Sequence, residues 1–455
     1  MCRSGAAFVP IDSLELSMIQ PIFERLNSRV AISSERAASV LSNLFDRVVI
    51  VNDELVNSLP LGQSPLTSMA APSDAACILF VPTSSNEARG VTFSHAALST
   101  ALQGQGPAAR ITPLSRVMQL SSFNVDICIT EIFTTLVYGA CVCVPSAVER
   151  LQDFGAAVNR MQVNWSYMTP LLSRKLDPTL LPSLKVVCFR TRGLDDDTFN
   201  IWHGNVSVIL AYGPQDVCPL GIAFLEALGP HHLKSIGRPF AGSLLIVNPE
   251  DHKKRLPVGA VGELVVEGPT LGFSYPNRES MMTPMSPLGP ASGKARHFKT
   301  GHRARYTQGG LMEFISSKRE DTSLDGRSVN VTEIEQHVRR CLGQGVDVVV
   351  EMVMFRGHAK NDTLLTAFIE LGNQLENDEN LASLSAATKD QLVVAKQLVE
   401  AGLKNRFAPT MIPAAFVPVK HLPITPSLKV NRRRLQKMIA GLTKEDLLGL
   451  SLIHI

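Results

Sequence analysis

Short runs rich in Val, Ile and aromatic residues alternate with segments of helical period over the first two-thirds of the chain. That rhythm constrains it to an α/β fold with a buried sheet. The strand candidates are Ala76 to Val81 (ACILFV), Val186 to Phe189, Val206 to Tyr212 (VSVILAY) and Glu263 to Glu267 (ELVVE). After about residue 314 the texture changes. Asp325-Gly326 signals a turn, and Ser328 to Val331 reads as a short strand. Thr332 stands three residues before Glu335, a capping-box spacing, ahead of Ile334, Val338 and Leu342 on one helical face. Asp347 to Phe355 and Leu364 to Glu370 read as strands, and Ser385 to Phe407 as an amphipathic helix. This is a small α+β unit with its own apolar faces, and a boundary is expected near residue 319.

The chain has 455 residues, enough for two or more packed units. Its 44 basic residues against 41 acidic ones give no reason to expect a nucleic-acid or polybasic membrane partner. No apolar run of signal-peptide length opens it. The uncharged, largely apolar stretch Ile132 to Val148 holds Gly139 and Pro145 and is too short to span a bilayer; it is expected to be buried strand and loop. The cysteines form neither a Cys-x-x-Cys pair nor a Cys/His cluster, so zinc has little support, and free thiols in a reducing cytosol are expected. The segment Thr283 to Lys294, full of Pro, Ser and Gly, reads as an exposed loop.

In order along the chain stand Ser4-Gly-Ala-Ala-Phe-Val-Pro-Ile-Asp12, Ala211-Tyr-Gly-Pro214, Gly262-Glu-Leu264, Lys299-Thr-Gly301 and Pro423-Ile-Thr-Pro-Ser-Leu-Lys-Val430. Together, and over nearly the whole chain, these strings resemble the adenylation domains of nonribosomal peptide synthetases. Those belong to the superfamily that also holds acyl-CoA ligases and luciferases. The resemblance implies a large layered α/β and β N-terminal portion, residues 1–319, and a small C-terminal lid, residues 320–455. It implies that ATP and Mg2+ convert a carboxylic acid into an acyl-adenylate, which requires two anions to be held in line and their developing charge neutralised.

Several positions depart from the family pattern. The phosphate loop falls on Val81-Pro-Thr-Ser-Ser-Asn-Glu-Ala-Arg-Gly90. Ser84 and Ser85 fit as phosphate ligands and Arg89 replaces a lysine, but Thr83 and Asn86 replace glycines and Glu87 replaces a lysine. Glycine lets backbone amides approach phosphate, whereas a glutamate repels it. Without the resemblance, this segment is a polar loop before Ser94, an N-cap candidate. Asp216 takes the place of the family's magnesium-holding glutamate and remains a competent metal ligand. Tyr212, followed by Gly213, would lie against the adenine ring. His302 stands where the family carries the aspartate that grips both ribose hydroxyls, and a neutral imidazole offers one acceptor. At the hinge, Ser316-Ser-Lys-Arg319 replaces Gly-Arg-x-Asp, and Asp325 replaces a basic residue near the phosphates. Lys429 keeps its setting and is the lysine expected to bridge carboxylate and phosphate. The run Arg432 to Arg434 reads as a solvated helix face.

For the acid pocket, the family alignment puts Asp126 at the position that binds the substrate's α-ammonium, which points to an amino-acid substrate. The rest of the lining would be Ile127, Thr130, Tyr167, Cys188, Arg190, Ala211, Pro219 and Leu220. Arg190 replaces a small residue. It either pairs with Asp126 and closes the pocket, or receives an acidic substrate side chain, or ends its strand in solvent; closure is favoured.

No Gly-Gly-x-Ser phosphopantetheine site and no condensation motif occur in the sequence, so a separate carrier protein or synthetase module is the expected partner. The match starts at the second of the family's core motifs, so a fragment of a longer synthetase is one expectation. The loop, ribose and hinge changes would each cost about 1–3 kcal/mol where a hydrogen bond to a charged group is lost. Weak or absent adenylation is therefore expected. The competing readings are a non-catalytic scaffold or interaction module and, last, an acyl-CoA ligase.

Overall fold

The computed structural model describes residues 5–12, 16–26, 28–60, 70–82, 88–190, 194–214, 218, 221–275, 297–317, 321–324, 327–343, 345–354, 363–372, 384–425 and 429–450. Its centre is a sheet whose strands run side by side in the order Arg238–Pro239, Ala223–Glu226, Ser207–Tyr212, Val186–Arg190, Trp165–Tyr167, Arg116–Met118 and Cys141–Cys143. The last five are mutually parallel, and Ala223–Glu226 pairs antiparallel to Ser207–Tyr212. Strands covered on both faces read as continuous apolar runs. One face buries Phe189, Phe199, Trp202 and Leu210 in a single cluster, and the other buries Trp165, Tyr167, Cys188 and Ile209.

Flanking this sheet are two antiparallel ones. Ala75–Pro82 pairs with Ala88–Ser94, which in turn pairs with Phe273–Tyr275. Ser243–Val247, Gly262–Glu267, His297–Tyr306 and Met312–Ser317 form the other. The expected strands ACILFV, VSVILAY and ELVVE thus fall in three different sheets. Ser94 caps its helix as expected, accepting the Ala97 N–H at 3.2 Å.

The stretch Ile132 to Val148 corrects the sequence expectation. It continues a helical segment in which Ile127–Ile129 is α, Thr130–Thr134 is a π-turn and Thr135–Val137 is α again; only Cys141–Cys143 is a strand. Nor is it uniformly buried, since Leu136, Val137, Val144 and Val148 are exposed. A short apolar run without charges carries no period with which to separate helix from strand. A single buried carboxylate explains the π-turn's fixed position. Glu131 accepts the Leu120 N–H at 3.2 Å, the Ser121 N–H at 3.0 Å and the Ser121 hydroxyl at 2.9 Å.

The C-terminal unit packs Val348–Met354, Thr363–Glu370 and Ala415–Val419 against the helices Val331–Leu342 and Ala386–Leu403. Its first helix starts at Val331, so Thr332 lies inside the first turn and does not cap it. Glu335 reaches instead across to the Val350 N–H at 3.0 Å and to Arg432 at 3.1 Å. Arg432, expected on a solvated face, also pairs with Glu351. Fixed partners across the unit outcompete a local cap.

A seam of charge joins this unit to the central sheet's helices. Arg339 meets Asp195 at 3.0 Å, Arg174 meets Asp347 at 2.8 Å, Arg340 meets Asp196 at 2.8 Å, and Lys175 meets Glu370 at 3.2 Å. Leu171, on the same short helix as Arg174, enters the apolar cluster of Val349, Phe368 and Val417. The hinge residues Lys318 and Arg319, the Asp325-Gly326 turn and the segment Thr283 to Lys294 lie outside the described residues. Among the described residues no helix is long and apolar enough to cross a membrane.

Candidate active site

Ligands of open α/β sheets bind beyond the carboxyl ends of the parallel strands. Three adjacent strands present residues there: Tyr167, Arg190 and Tyr212 each end their own strand. Register places Tyr167 beside Cys188, and Arg190 beside Ala211. The helix carrying Asp126 and Ile127 closes over them, so that Ile127, Tyr167, Cys188 and Ala211 share one buried cluster. Burial pushes both the Cys188 thiol and the Tyr167 phenol up, so each stays neutral and neither serves as a nucleophile at neutral pH.

At the centre is an ion pair. One Arg190 Nη donates to Asp126 Oδ2 at 2.5 Å and the other to the Gly213 carbonyl at 2.6 Å. The Asp126 side chain is 1% exposed and that of Arg190 20%. Burial alone would lower the arginine's pKa, but the adjacent Asp126 outweighs it and holds the guanidinium charged. Of the arrangements weighed for Arg190, the structure has the pairing with Asp126, not a guanidinium in solvent.

Thr130 turns the other way. Its hydroxyl donates to Gln105 Oε1 at 2.9 Å, beside Thr134 at 3.1 Å, and the Gln105 amide donates to the Gly221 carbonyl at 3.3 Å. Gln105 lies fully buried in the last turn of its helix, tying that helix to Gly221. Nothing local in the sequence marks it.

Gly213 opens a loop that Gly221 closes, and the two backbones touch. A Cβ on Gly213 would stand 2.5 Å from Gly221 Cα, and one on Gly221 2.7 Å from the Tyr212 carbonyl. The Ile222 N–H donates to that carbonyl at 2.8 Å and seals the base. Side chains cannot be accommodated at such distances.

The two residues expected at the adenine and ribose, Tyr212 and His302, meet each other. Tyr212 Oη and His302 Nδ1 share a hydrogen bond of 2.6 Å, with the residues 3% and 8% exposed. The imidazole also packs edge-on against Tyr212 and Phe314. An acceptor for ribose hydroxyls must face the ligand; this nitrogen is already bonded to the phenol. With Nδ1 engaged by the phenol, at most the ring's other nitrogen, Nε2, is left for a ribose hydroxyl. Lys429 is half-buried, and its backbone is tied to Thr425: the Thr425 N–H donates to the Lys429 carbonyl at 2.7 Å. Ser84, Ser85, Asp216, Pro219 and Leu220 lie outside the described residues, as does the Arg89 side chain. Among the described residues no group of three or more His, Cys, Asp or Glu is placed to hold a metal.

Comparison with known proteins identifies the family. The profile of the AMP-binding enzymes matches residues 1–275. The nonribosomal peptide synthetase TES of Alternaria alternata is 30% identical over 98% of this chain, which spans only 9% of that protein. Among solved structures, an ATP-bound RpMatB–BxBclM chimera superposes with a TM-score of 0.74 at 17% identity, covering 97% of this chain and 85% of that one. The four-domain nonribosomal peptide synthetase AB3403, bound to AMP and glycine, gives 0.69 at 19% identity, covering 95% and 31%. The fold is that of the adenylate-forming enzymes. The chain belongs to the AMP-binding enzyme family.

Proposed function

We propose that this chain is a nonribosomal-peptide-synthetase adenylation module, built around an amino-acid pocket at Asp126, in which adenylation is weak or lost. The observation that carries the reading is the Tyr212–His302 hydrogen bond, which engages the residue at the ribose position with the residue at the adenine position. In this reading residues 1–319 form the main body and residues 320–455 the lid. Lys429 is the lysine that would bridge carboxylate and phosphate, Asp216 would hold magnesium, and Ser84, Ser85 and Arg89 would face the phosphates. A carrier protein or neighbouring synthetase module is the partner, and the setting is secondary-metabolite biosynthesis in the cytoplasm.

A second reading has support of its own. The lid is fixed to the body by ion pairs that use no residue of the proposed site. Such a body suits a non-catalytic scaffold in a synthetase complex.

Amino-acid-dependent ATP–pyrophosphate exchange separates the two. The expected outcome is exchange at or near the level of a Lys429→Ala control across all common amino acids and several aryl acids. Robust exchange with one acid, absent in that control, would refute the loss of adenylation. A folded chain without exchange, and without a thermal shift from ATP and magnesium, would favour the scaffold.

A further inference from the structure

We propose that Arg190 is a built-in occupant of the pocket's cation subsite: its guanidinium takes the place at Asp126 that a substrate's α-ammonium would need, so a free α-amino acid binds only when Arg190 swings out. The inference rests on the reading of Asp126 as the ammonium-binding carboxylate, and concerns the acid pocket alone, not the nucleotide.

The geometry is that of a ligand delivered in cis. A guanidinium presents its N–H groups in a planar fork. Here one arm meets Asp126 Oδ2 at 2.5 Å and the other the Gly213 carbonyl at 2.6 Å. These are the partners an incoming ammonium would find: a buried carboxylate beside the helix start and a carbonyl at the strand end. Around them Ile127, Tyr167, Cys188 and Ala211 are buried in one shared cluster.

Competition favours the internal cation. Arg190 is tethered to its strand, so its effective concentration at Asp126 is far above that of any free amino acid. An incoming amino acid must also lose its own translational freedom. The apparent dissociation constant of a ligand scales inversely with the fraction of chains in the competent state. If Arg190 is displaced in about 1% of chains, the wild type binds about 100-fold more weakly than a chain lacking the plug.

The test is binding without nucleotide, so an inactive ATP site does not obscure it. Wild type, Arg190→Gly and Arg190→Gly/Asp126→Asn are titrated calorimetrically with methylguanidinium and with the common L-amino acids. Arg190→Gly is expected to gain a saturable site for methylguanidinium, the excised group returned in solution. It should also gain one for at least one amino acid, about 100-fold tighter than in the wild type. The double variant is expected to lose both. Amino-acid binding to the wild type as tight as to Arg190→Gly, and dependent on Asp126, would overturn the plug while leaving the pocket reading intact. Methylguanidinium binding without any amino acid would overturn both, since the pair would then be an ordinary buried ion pair. Should Arg190→Gly not fold, the wild type decides by NMR. The Arg190 guanidinium nitrogens are expected to stay hydrogen-bonded and unmoved by millimolar amino acids. An amino acid that binds, as read from shifts of the neighbouring pocket resonances, while those nitrogens stay hydrogen-bonded to Asp126 overturns the proposal.

Discussion

Replacing Asp195 by asparagine tests whether the charged seam holds the lid to the body. The Asp195 side chain is 4% exposed, and it receives the Thr198 N–H at 2.7 Å and Arg339 Nη1 at 3.0 Å, with Arg174 at 3.9 Å. Asparagine keeps the helix cap, because its amide oxygen accepts the same N–H. The charge is what disappears. Breaking a buried pair from one side costs about 3–5 kcal/mol. Arg339 retains partial compensation from Glu335 at 3.4 Å and the Val348 carbonyl at 3.2 Å. Asp195→Asn should therefore destabilise by about 2–3 kcal/mol, less than a full uncompensated charge. Urea denaturation at neutral pH measures it, and a double-mutant cycle with Arg339→Met should return a coupling of about 1–3 kcal/mol. Burial would raise the Asp195 pKa, but hydrogen bonding from Thr198 and the charges of Arg339 and Arg174 hold it below the usual carboxylate range. A depressed pKa contributes stability above the unfolded value of about 4, lost as pH falls through the folded value. The variant should accordingly show a flatter acid limb. A loss below about 0.5 kcal/mol, or no coupling to Arg339, would refute the view that this seam fastens the lid.

Two further substitutions probe the site. Tyr212→Phe keeps the ring packed on His302 but removes the hydroxyl 2.6 Å from Nδ1. It should cost about 1–3 kcal/mol in urea titration, and a neutral result would mean that the buried imidazole finds another partner. Burial pushes the Glu131 carboxyl up to about 8 in spite of its hydrogen bonds from Ser121 and Leu120. A raised carboxylate pKa contributes stability below its unfolded value of about 4.3, and that stability is lost as pH rises through the folded value. Melting temperature should fall between mildly acidic and mildly alkaline pH, and Glu131→Gln should remove most of that slope. An unchanged slope in the variant would assign it to other groups.

Much of the scaffold was legible in the sequence, because a buried parallel sheet writes itself as Val- and Ile-rich runs and a lid helix as a 3.6-residue period. Val186–Arg190 and Ser207–Tyr212 fall where those runs predict, and Ala386–Leu403 falls within its expected helix. What failed was local inference at places where distant partners decide. Glu335 abandons the capping box for Val350 and Arg432, and the run after Ile132 stays helical around buried Glu131. The site follows the same division. The position of Asp126 and the oddity of Arg190 could be read from the family strings. The Tyr212–His302 bond could not, because ninety residues separate its partners and no periodicity records such a meeting.

The pinched base formed by Gly213 and Gly221 has an evolutionary consequence. The close approach of the two glycines and the Ile222-to-Tyr212 hydrogen bond fix the end of the strand through backbone contacts that leave no room for a side chain. Cys218, between the two glycines, is fully buried in the same core cluster as Tyr212 and meets the Gln105 amide at 3.8 Å, so substitutions there also reach the core. Substitutions at the glycines themselves strike the architecture at once.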